Sequence, residues 1–452
     1  MTNASATARR GHEHRLDSPR SWYVLILITL AYGLSYIDRQ MLNLLVDPIK
    51  TSLHISDTAF SFIQGSAFVT AYLTALPIFG RLVDVTNRRN ILIFGVCAWS
   101  VCTALCGMAN SYQALFLARF GVGIAEACVF PVSMSLISES FSPKRTPRAM
   151  SVWTLGSGLG GGFSLLAGGL VIAFAGTLAL SLPALHGLAT WQMAFVVIGL
   201  PGLAYALLLL TIREPPRGRA GTEVSGAGRR PLREVAGTLW ADRAFYARIY
   251  LSIGCVGIVT LGVPAWFPAF LIRTHGLPAT QVGFRLGSVS IICGAVGTLI
   301  GPWVAERLRR RGYIDAPLRA SAFSSFGTLV SCLAIPLAPG ANGALAAAGG
   351  VLFFCGFPLG LIAASTQNAT PNHMRGVVGA LYTFSAQFIG YMIGPSLIAM
   401  LTDRWFHDPK MVGYSLQIVT SAATVAIGVF LFTILRPYRA MLERNAAATS
   451  AN

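Results

Sequence analysis

Apolar runs of about twenty residues return along the whole length of this chain, and nothing else limits its fold so tightly. A run of that length, coiled as a helix, matches the thickness of the hydrocarbon core of a bilayer. Inside lipid every backbone N–H and C=O has to be satisfied within the protein, so segments this long and apolar read as helices. Twelve such runs fit the 452 residues. The expected fold class is all-α integral membrane, with twelve transmembrane helices. Composition points the same way: 54% of residues are hydrophobic, 11% are charged and the mean hydropathy is +0.62. These values lie outside the range of soluble globular chains.

A net charge of +17 would suggest nucleic acid in a soluble protein, but here the position of the charge decides. Of 34 Lys and Arg, Arg39 and Arg119 lie within apolar runs, and five (Lys50, Arg273, Arg285, Arg404 and Lys410) fall on the side away from the N-terminus, which leaves 27 on the N-terminal side. The positive-inside rule therefore places both termini in the cytoplasm, in a multi-pass protein of the cell inner membrane. That orientation accounts for the basic bias, and no nucleic-acid partner is expected. The tail carries Arg9, Arg10, Arg15 and Arg20, yet the run that follows is too long for a signal peptide and lacks a small-residue cleavage site, so it is kept as the first helix. The eight cysteines (Cys97, Cys102, Cys106, Cys128, Cys255, Cys293, Cys332 and Cys355) all fall in apolar spans without C-x-x-C or nearby His, and read as buried thiols. No cofactor or metal is expected.

Four charges break the apolar pattern. Tyr36-Ile37-Asp38-Arg39 sits deep in the run 22–46, and Arg119 and Glu126 lie seven residues apart, on one face, in the run 112–138. Ionisable groups at bilayer depth are expensive and mark pathways, pairings or coupling sites. Among the 17 acidic residues only Asp38 and Glu126 lie well inside spans, and all seven histidines fall in connections or tails. A transported proton would therefore ride on a carboxylate. A helical rise of about 1.5 Å per residue puts Asp38 at the level of Arg119 and lets Arg39 reach towards Glu126. The competing reading is purely structural, four charges neutralising one another to hold two helices in register.

The second span runs over 58–82 after a turn at Ser56, and ends in the tight cytoplasmic connection Gly80-Arg81-Leu82-Val83-Asp84-Val85-Thr86-Asn87-Arg88-Arg89. This resembles the signature loop of the major facilitator superfamily, G-x-L-x-D-R-x-G-R-R. Gly80, Leu82, Asp84, Arg88 and Arg89 match; Val85 replaces a basic residue and Asn87 the second Gly. Asn is the next-best residue at positive φ, so Asn87 is expected to keep the turn. The resemblance implies a cytoplasmic gate formed by Gly80, Asp84, Arg88 and Arg89. The fifth span is dense in glycine (Gly156, Gly158, Gly160, Gly161, Gly162, Gly168 and Gly169), which lets helix backbones approach closely. Ser164-Leu165 stand where the superfamily's antiporter motif has Gly-Pro, so antiport gains little from it.

Arg213-Glu214-Pro215-Pro216-Arg217-Gly218 opens a Gly, Pro and Arg-rich linker that breaks the apolar pattern, with a short surface helix expected over 232–245. Five segments result: a cytoplasmic tail 1–20, a six-helix bundle 21–212, a cytoplasmic linker 213–245, a second six-helix bundle 246–436 and a cytoplasmic tail 437–452. The halves echo each other: Pro131, Arg148 and Gly168 find Pro358, Arg375 and Pro395 at a constant offset of 227. Such duplication is how many transporters are built. The second half has no deep charge. Its spans offer Gln367, Gln387 and Tyr391 beside Phe353, Phe357, Phe384 and Phe388, which with Tyr36 are the candidate walls of a central cavity. Charge on one wall and aromatic carbon on the other suits an amphipathic solute; the alternative is that these rings serve helix packing or face lipid.

Tyr36-Ile37-Asp38-Arg39, then Arg119-x-x-x-Gly123-x-Ala125-Glu126-Ala127, then Trp266-x-Pro268-x-Phe270-Leu271-x-Arg273-x-His275-Gly276 together resemble the spinster-like transporters of the major facilitator superfamily. The resemblance implies the major facilitator fold, two pseudo-symmetric six-helix bundles that alternate access to a midplane cavity, in a monomer surrounded by membrane lipids. It implies Asp38 and Glu126 as proton-coupling sites, and Arg39 and Arg119 as their partners or as contacts for an anionic head group. The expected substrate is a small amphipathic or anionic solute, lysolipid-like or sphingoid-phosphate-like. Organic-anion symporters of the same superfamily share the four charges, so a sugar acid carried with a proton stays open, as does a sensor or scaffold that moves nothing. An enzyme is not expected, because the spans supply neither a nucleophile with its base nor a set of metal ligands.

Overall fold

The computed structural model describes residues 16–142, 144–181, 187–214, 232–371 and 374–450. The basic tail before residue 16 and most of the expected linker, 215–231, lie outside the described residues.

Apart from a 3-10 turn at Pro409–Met411, the described residues form fourteen helices. They are α1 (Pro19–Leu44), the short α2 (Val46–Leu53), α3 (Asp57–Val85), α4 (Arg88–Gly107), α5 (Tyr112–Ser140), α6 (Thr146–Ser181) and α7 (Thr190–Leu209). After the linker come α8 (Leu232–Ala241), α9 (Arg243–His275), α10 (Ala279–Arg310), α11 (Ala316–Ala334), α12 (Gly340–Ala369), α13 (Arg375–Phe406) and α14 (Val412–Ser450). Eleven of them are long and apolar enough to cross a membrane. The expected twelfth, α11, has 19 residues and falls short in apolarity, not in length. Its hydroxyls turn back onto their own helix, Ser321 to the Pro317 carbonyl at 3.0 Å and Thr328 to that of Ser324 at 3.1 Å, so they are satisfied within it.

Helix starts follow local chemistry. Ser56, Asn87 and Ser111 cap α3, α4 and α5 by accepting from Ala59, Asn90 and Ala114 amides at 3.1, 3.1 and 3.2 Å. At the other end, Gly276 takes φ +66° to close α9. Proline sets the interruption of α5: Pro131 has no N–H for the Ala127 carbonyl, and the helix breaks between Glu126 and Val129. Two α-helical stretches result, and Glu126 ends the first.

The chain resolves into two compact units: residues 1–41 with 70–229, and residues 42–69 with 230–452. The division does not follow the linker alone, since the end of α1, all of α2 and the start of α3 pack with the second half. In the first unit, α6 closes on α1 through glycine: a Cβ on Gly156 would lie 2.8 Å from the Thr29 carbonyl oxygen, and one on Gly160 3.3 Å from Gly33 Cα. In the second unit, Trp266 is fully buried and donates its indole N–H to the Pro395 carbonyl at 2.9 Å.

Candidate functional site

The four mid-span charges come together inside the first unit. Asp38, Arg39, Arg119 and Glu126 are 4, 9, 1 and 1% exposed. Arg119 Nη1 approaches Asp38 Oδ2 at 3.3 Å, and Thr103 Oγ1 of α4 donates to the same oxygen at 3.3 Å. Arg39 donates to Glu126 Oε2 from Nε at 2.9 Å and also from Nη2. Helical rise along α1 and α5 gives this pairing, Asp38 with Arg119 and Arg39 with Glu126. Aromatic rings fix Arg39 from the other side: its guanidinium lies 5.0 Å from the centroid of Tyr36, which meets Tyr32 edge-on at 5.6 Å, and Tyr32 stacks on Trp153 at 4.3 Å.

Two acids and two guanidiniums make the group neutral overall. Asp38 Oδ1 and Glu126 Oε1 are buried and accept no hydrogen bond among the described residues. Each carboxylate thus has one oxygen held by arginine and one open. A proton can be accepted at the open oxygen once the arginine moves away, because an unpaired buried carboxylate costs several kcal/mol and protonation removes that cost.

At the loop between α3 and α4 the matching residues divide. Arg88 is 2% exposed and held by Glu214, from Nε at 2.9 Å and from its backbone N–H at 3.1 Å, while Nη1 reaches Ser135 Oγ at 3.1 Å. Glu214 therefore also sits at the positive end of α4. Arg89 donates to the Ile212 carbonyl at 3.4 Å. Asp84 is exposed, and a Cβ on Gly80 would meet nothing within 4 Å. The expectation for Asn87 needs correction: its φ is −65° and ψ 117°, so no left-handed turn is present. Asn serves here as the cap of α4, a role Gly fills nearly as well.

The aromatic candidates of the second half fall in two groups. Phe353 and Phe357 meet at 5.5 Å on α12, where the α10 backbone at Gly297 and Gly301 presses against them. Phe384 and Phe388 stack on α13 at 5.3 Å, with Gln387 beside them half-buried. Gln367 is half-buried on α12, its carbonyl accepting from Arg375 Nε at 3.1 Å, and Tyr391 lies 6.2 Å from Phe68. Tyr36 belongs to the other unit.

The sequence reading missed a second group of charges, in the second unit at the α2–α3 connection. Arg273 places Nη1 and Nη2 on the two oxygens of Asp57 at 2.8 Å each and Nε on Asp47 at 2.8 Å, while Lys50 pairs with Asp57 as well. Asp403 accepts from the Thr58 amide and hydroxyl at 2.6 and 2.7 Å. Nearby, Asn43 donates to the Pro264 carbonyl at 3.0 Å, a carbonyl that Pro268 cannot serve, and Gln64 donates to Asn43 at 2.6 Å. An Asp right after a helix cap reads as a helix-end charge, and nothing in the order of residues couples 57 to 273.

The model for the Major Facilitator Superfamily matches residues 28–395. Among curated relatives, an MFS-type efflux pump of Mycolicibacterium smegmatis is 29% identical over 322 residues, 69% of this chain and 68% of that one. Protein spinster homolog 1 of Rattus norvegicus is 28% identical over 326 residues, 67% of this chain and 58% of the rat protein's length. Among solved structures, a bacterial homologue of the human lysosomal transporter spinster, in an inward-facing and unoccupied conformation, superposes with a TM-score of 0.81 at 23% identity, covering 94% of this chain and 98% of that one.

Proposed function

The chain belongs to the Major Facilitator Superfamily, a family of transporters, and on that premise we propose that it is a proton-coupled secondary transporter of a small amphipathic or anionic solute. The observation that carries this reading is the buried quartet, with one open oxygen on each of Asp38 and Glu126. Alternating access that draws Arg119 from Asp38, or Arg39 from Glu126, leaves a carboxylate to be neutralised by a proton from whichever side it faces. Re-forming the pair expels that proton. The guanidiniums, when released from the carboxylates, can meet an anionic head group such as that of a lysolipid or sphingoid phosphate. The halves 21–212 and 246–436 are the moving bodies in this scheme, carried by one polypeptide in the cell inner membrane with both termini cytoplasmic.

Reconstituted protein in liposomes with an imposed pH gradient tests the proposal against a panel of lysolipids, sphingoid phosphates and sugar acids. A substrate should move faster with the gradient than without it. Binding at about 100 times the dissociation constant should add about 2.7 kcal/mol to the stability of the purified protein. Stabilisation without flux would identify a sensor, and flux indifferent to pH would remove the proton. A cysteine placed at 225 should stay unlabelled by an impermeant thiol reagent outside intact cells.

A further inference from the structure

In the second unit α11 and α14 pack side by side and turn an apolar stripe outward. Exposed side chains recur on α11 at Phe323, Phe326, Val330, Leu333 and Leu337, and on α14 at Val425, Val429 and Phe432. Steps of three and four residues trace one helix face, and in a membrane-spanning chain an outward apolar face meets hydrocarbon. Phe323 and Phe432 meet edge-on at 6.0 Å, so the two stripes end at one level. One turn beyond, about 6 Å along each axis, stand Arg319 on α11 and Arg436 on α14.

Asp315 holds the arginines in place. It is fully buried at the start of α11, where an acid ordinarily caps the helix, yet its side chain accepts nothing from the helix's amides. Both oxygens accept from arginine instead: Arg319 donates from Nε and Nη2 at 3.3 and 3.2 Å, and Arg439 from Nε and Nη2 at 2.9 and 2.7 Å. The Tyr313 ring, 4.4 Å from Arg319 Cζ, fixes that guanidinium further. Nη1 of both arginines has no hydrogen-bond partner among the described residues and is not buried. Arg436 is exposed and makes no ion pair among the described residues, and Glu443, the next acid along α14, pairs with none of the three.

The first half shows what a plain fastening needs. At the offset of 227 that relates the halves, Asp315 stands in the place of Arg88, and Arg439 lies within two residues of the place of Glu214. There one cation meets one acid, and Arg88 is 2% exposed. Here two cations share one acid and a third follows at the edge of the stripe, a surplus that fastening does not require. We propose that this end of α11 and α14 binds an anionic phospholipid, its phosphate on the open Nη1 groups of Arg319 and Arg439 and its acyl chains along Phe323 and Phe432. Guanidiniums suit phosphate in both charge and fork geometry. A zwitterionic lipid would bring its own ammonium group towards the surplus cations, so net negative charge is selected. A soluble phosphate would meet the arginines but leave the apolar stripe unused. The site stands apart from the quartet and owes nothing to the identity of the transported solute.

The test is native mass spectrometry of the purified full chain in detergent, titrated with dioleoyl phosphatidylglycerol and, separately, with phosphatidylcholine of the same chains. The first phosphatidylglycerol adduct should form at least about fivefold more tightly than the phosphatidylcholine one. Arg436→Gln, at an exposed and unpaired residue, should weaken that adduct about fivefold while leaving the unfolding midpoint in lipid-free detergent unchanged. Arg285→Gln removes the same charge at the opposite end of α10 and should leave the adduct as it is. Glycerol 3-phosphate, a head group without chains, should not displace the lipid at equal concentration. Equal affinity for the two lipids, an adduct that Arg436→Gln leaves untouched, or equal losses in both variants overturns the proposal. Displacement by glycerol 3-phosphate would make this a soluble-anion site and overturn the lipid.

Discussion

Two groups of buried charge sit along α1 and α3, and they are satisfied to different degrees. In the cluster around Asp57, which is fully buried, both carboxylate oxygens are taken by Arg273 and Lys50 adds a further contact. Arg273 also donates from Nε to Asp47 at 2.8 Å and from Nη1 to the Pro409 carbonyl at 3.2 Å. In the quartet, equally buried, each carboxylate keeps an oxygen open. A saturated cluster loses from any change in its ionisation, which makes it a staple. A half-satisfied one has somewhere to put a proton. Burial and charge are common to the two clusters; the count of unmet acceptors sets them apart.

Substituting the acids in turn is the strongest way to break this contrast. Asp38→Asn and Glu126→Gln should each reduce pH-driven flux to that of protein-free liposomes, with exchange in the absence of a gradient partly kept in at least one. Full pH-driven flux in both would make the quartet a second staple. Asp57→Asn should act on stability instead: it leaves Arg273 and Lys50 short of a counter-charge, at a cost of about 3–5 kcal/mol, seen as a lower unfolding midpoint. If the midpoint holds and coupling is lost, the two clusters have been assigned the wrong way round. Glu214→Gln, which removes the charge held by Arg88, should cost about 1–3 kcal/mol and accelerate proteolysis at the linker. The smallest effect belongs to Asn87. Asn87→Ala should cost about 1 kcal/mol and Asn87→Gly only a few tenths, the signature of a cap; a gain in stability on Asn87→Gly would restore the left-handed turn.

The sequence carried the helices and the quartet because both depend on distances along one chain segment. Apolar length fixed the spans, and the rise per residue placed Asp38 against Arg119 and Arg39 against Glu126. The turn at Ser56 is likewise local. Contacts made by the third dimension were not legible: Glu214 reaches Arg88 across 126 residues, and Arg273 reaches Asp57 across 216. Asn87 misled for a subtler reason, since a turn and a cap favour the same residue and only the dihedral angle tells them apart. The aromatic residues of α12 were legible as a cluster but not by purpose, because α10 approaches the α12 backbone at Phe353 and Phe357 through Gly297 and Gly301, a closeness that a list of large side chains does not reveal.

Residues 62–67 of α3 form a π-helical turn, and the division between the two compact units falls just beyond it, between Val69 and Thr70. A π turn carries one residue more than the α-helix needs, and one residue is about 100° of rotation. Along α3 the turn therefore holds one residue in reserve, next to the stretch Asp57–Ser61 that serves the Arg273 staple. A single deletion within 62–67 should therefore be absorbed by reversion to an ordinary α-helix. The same deletion at 70–76 would have no surplus residue to draw on and would swing the whole loop around the helix axis.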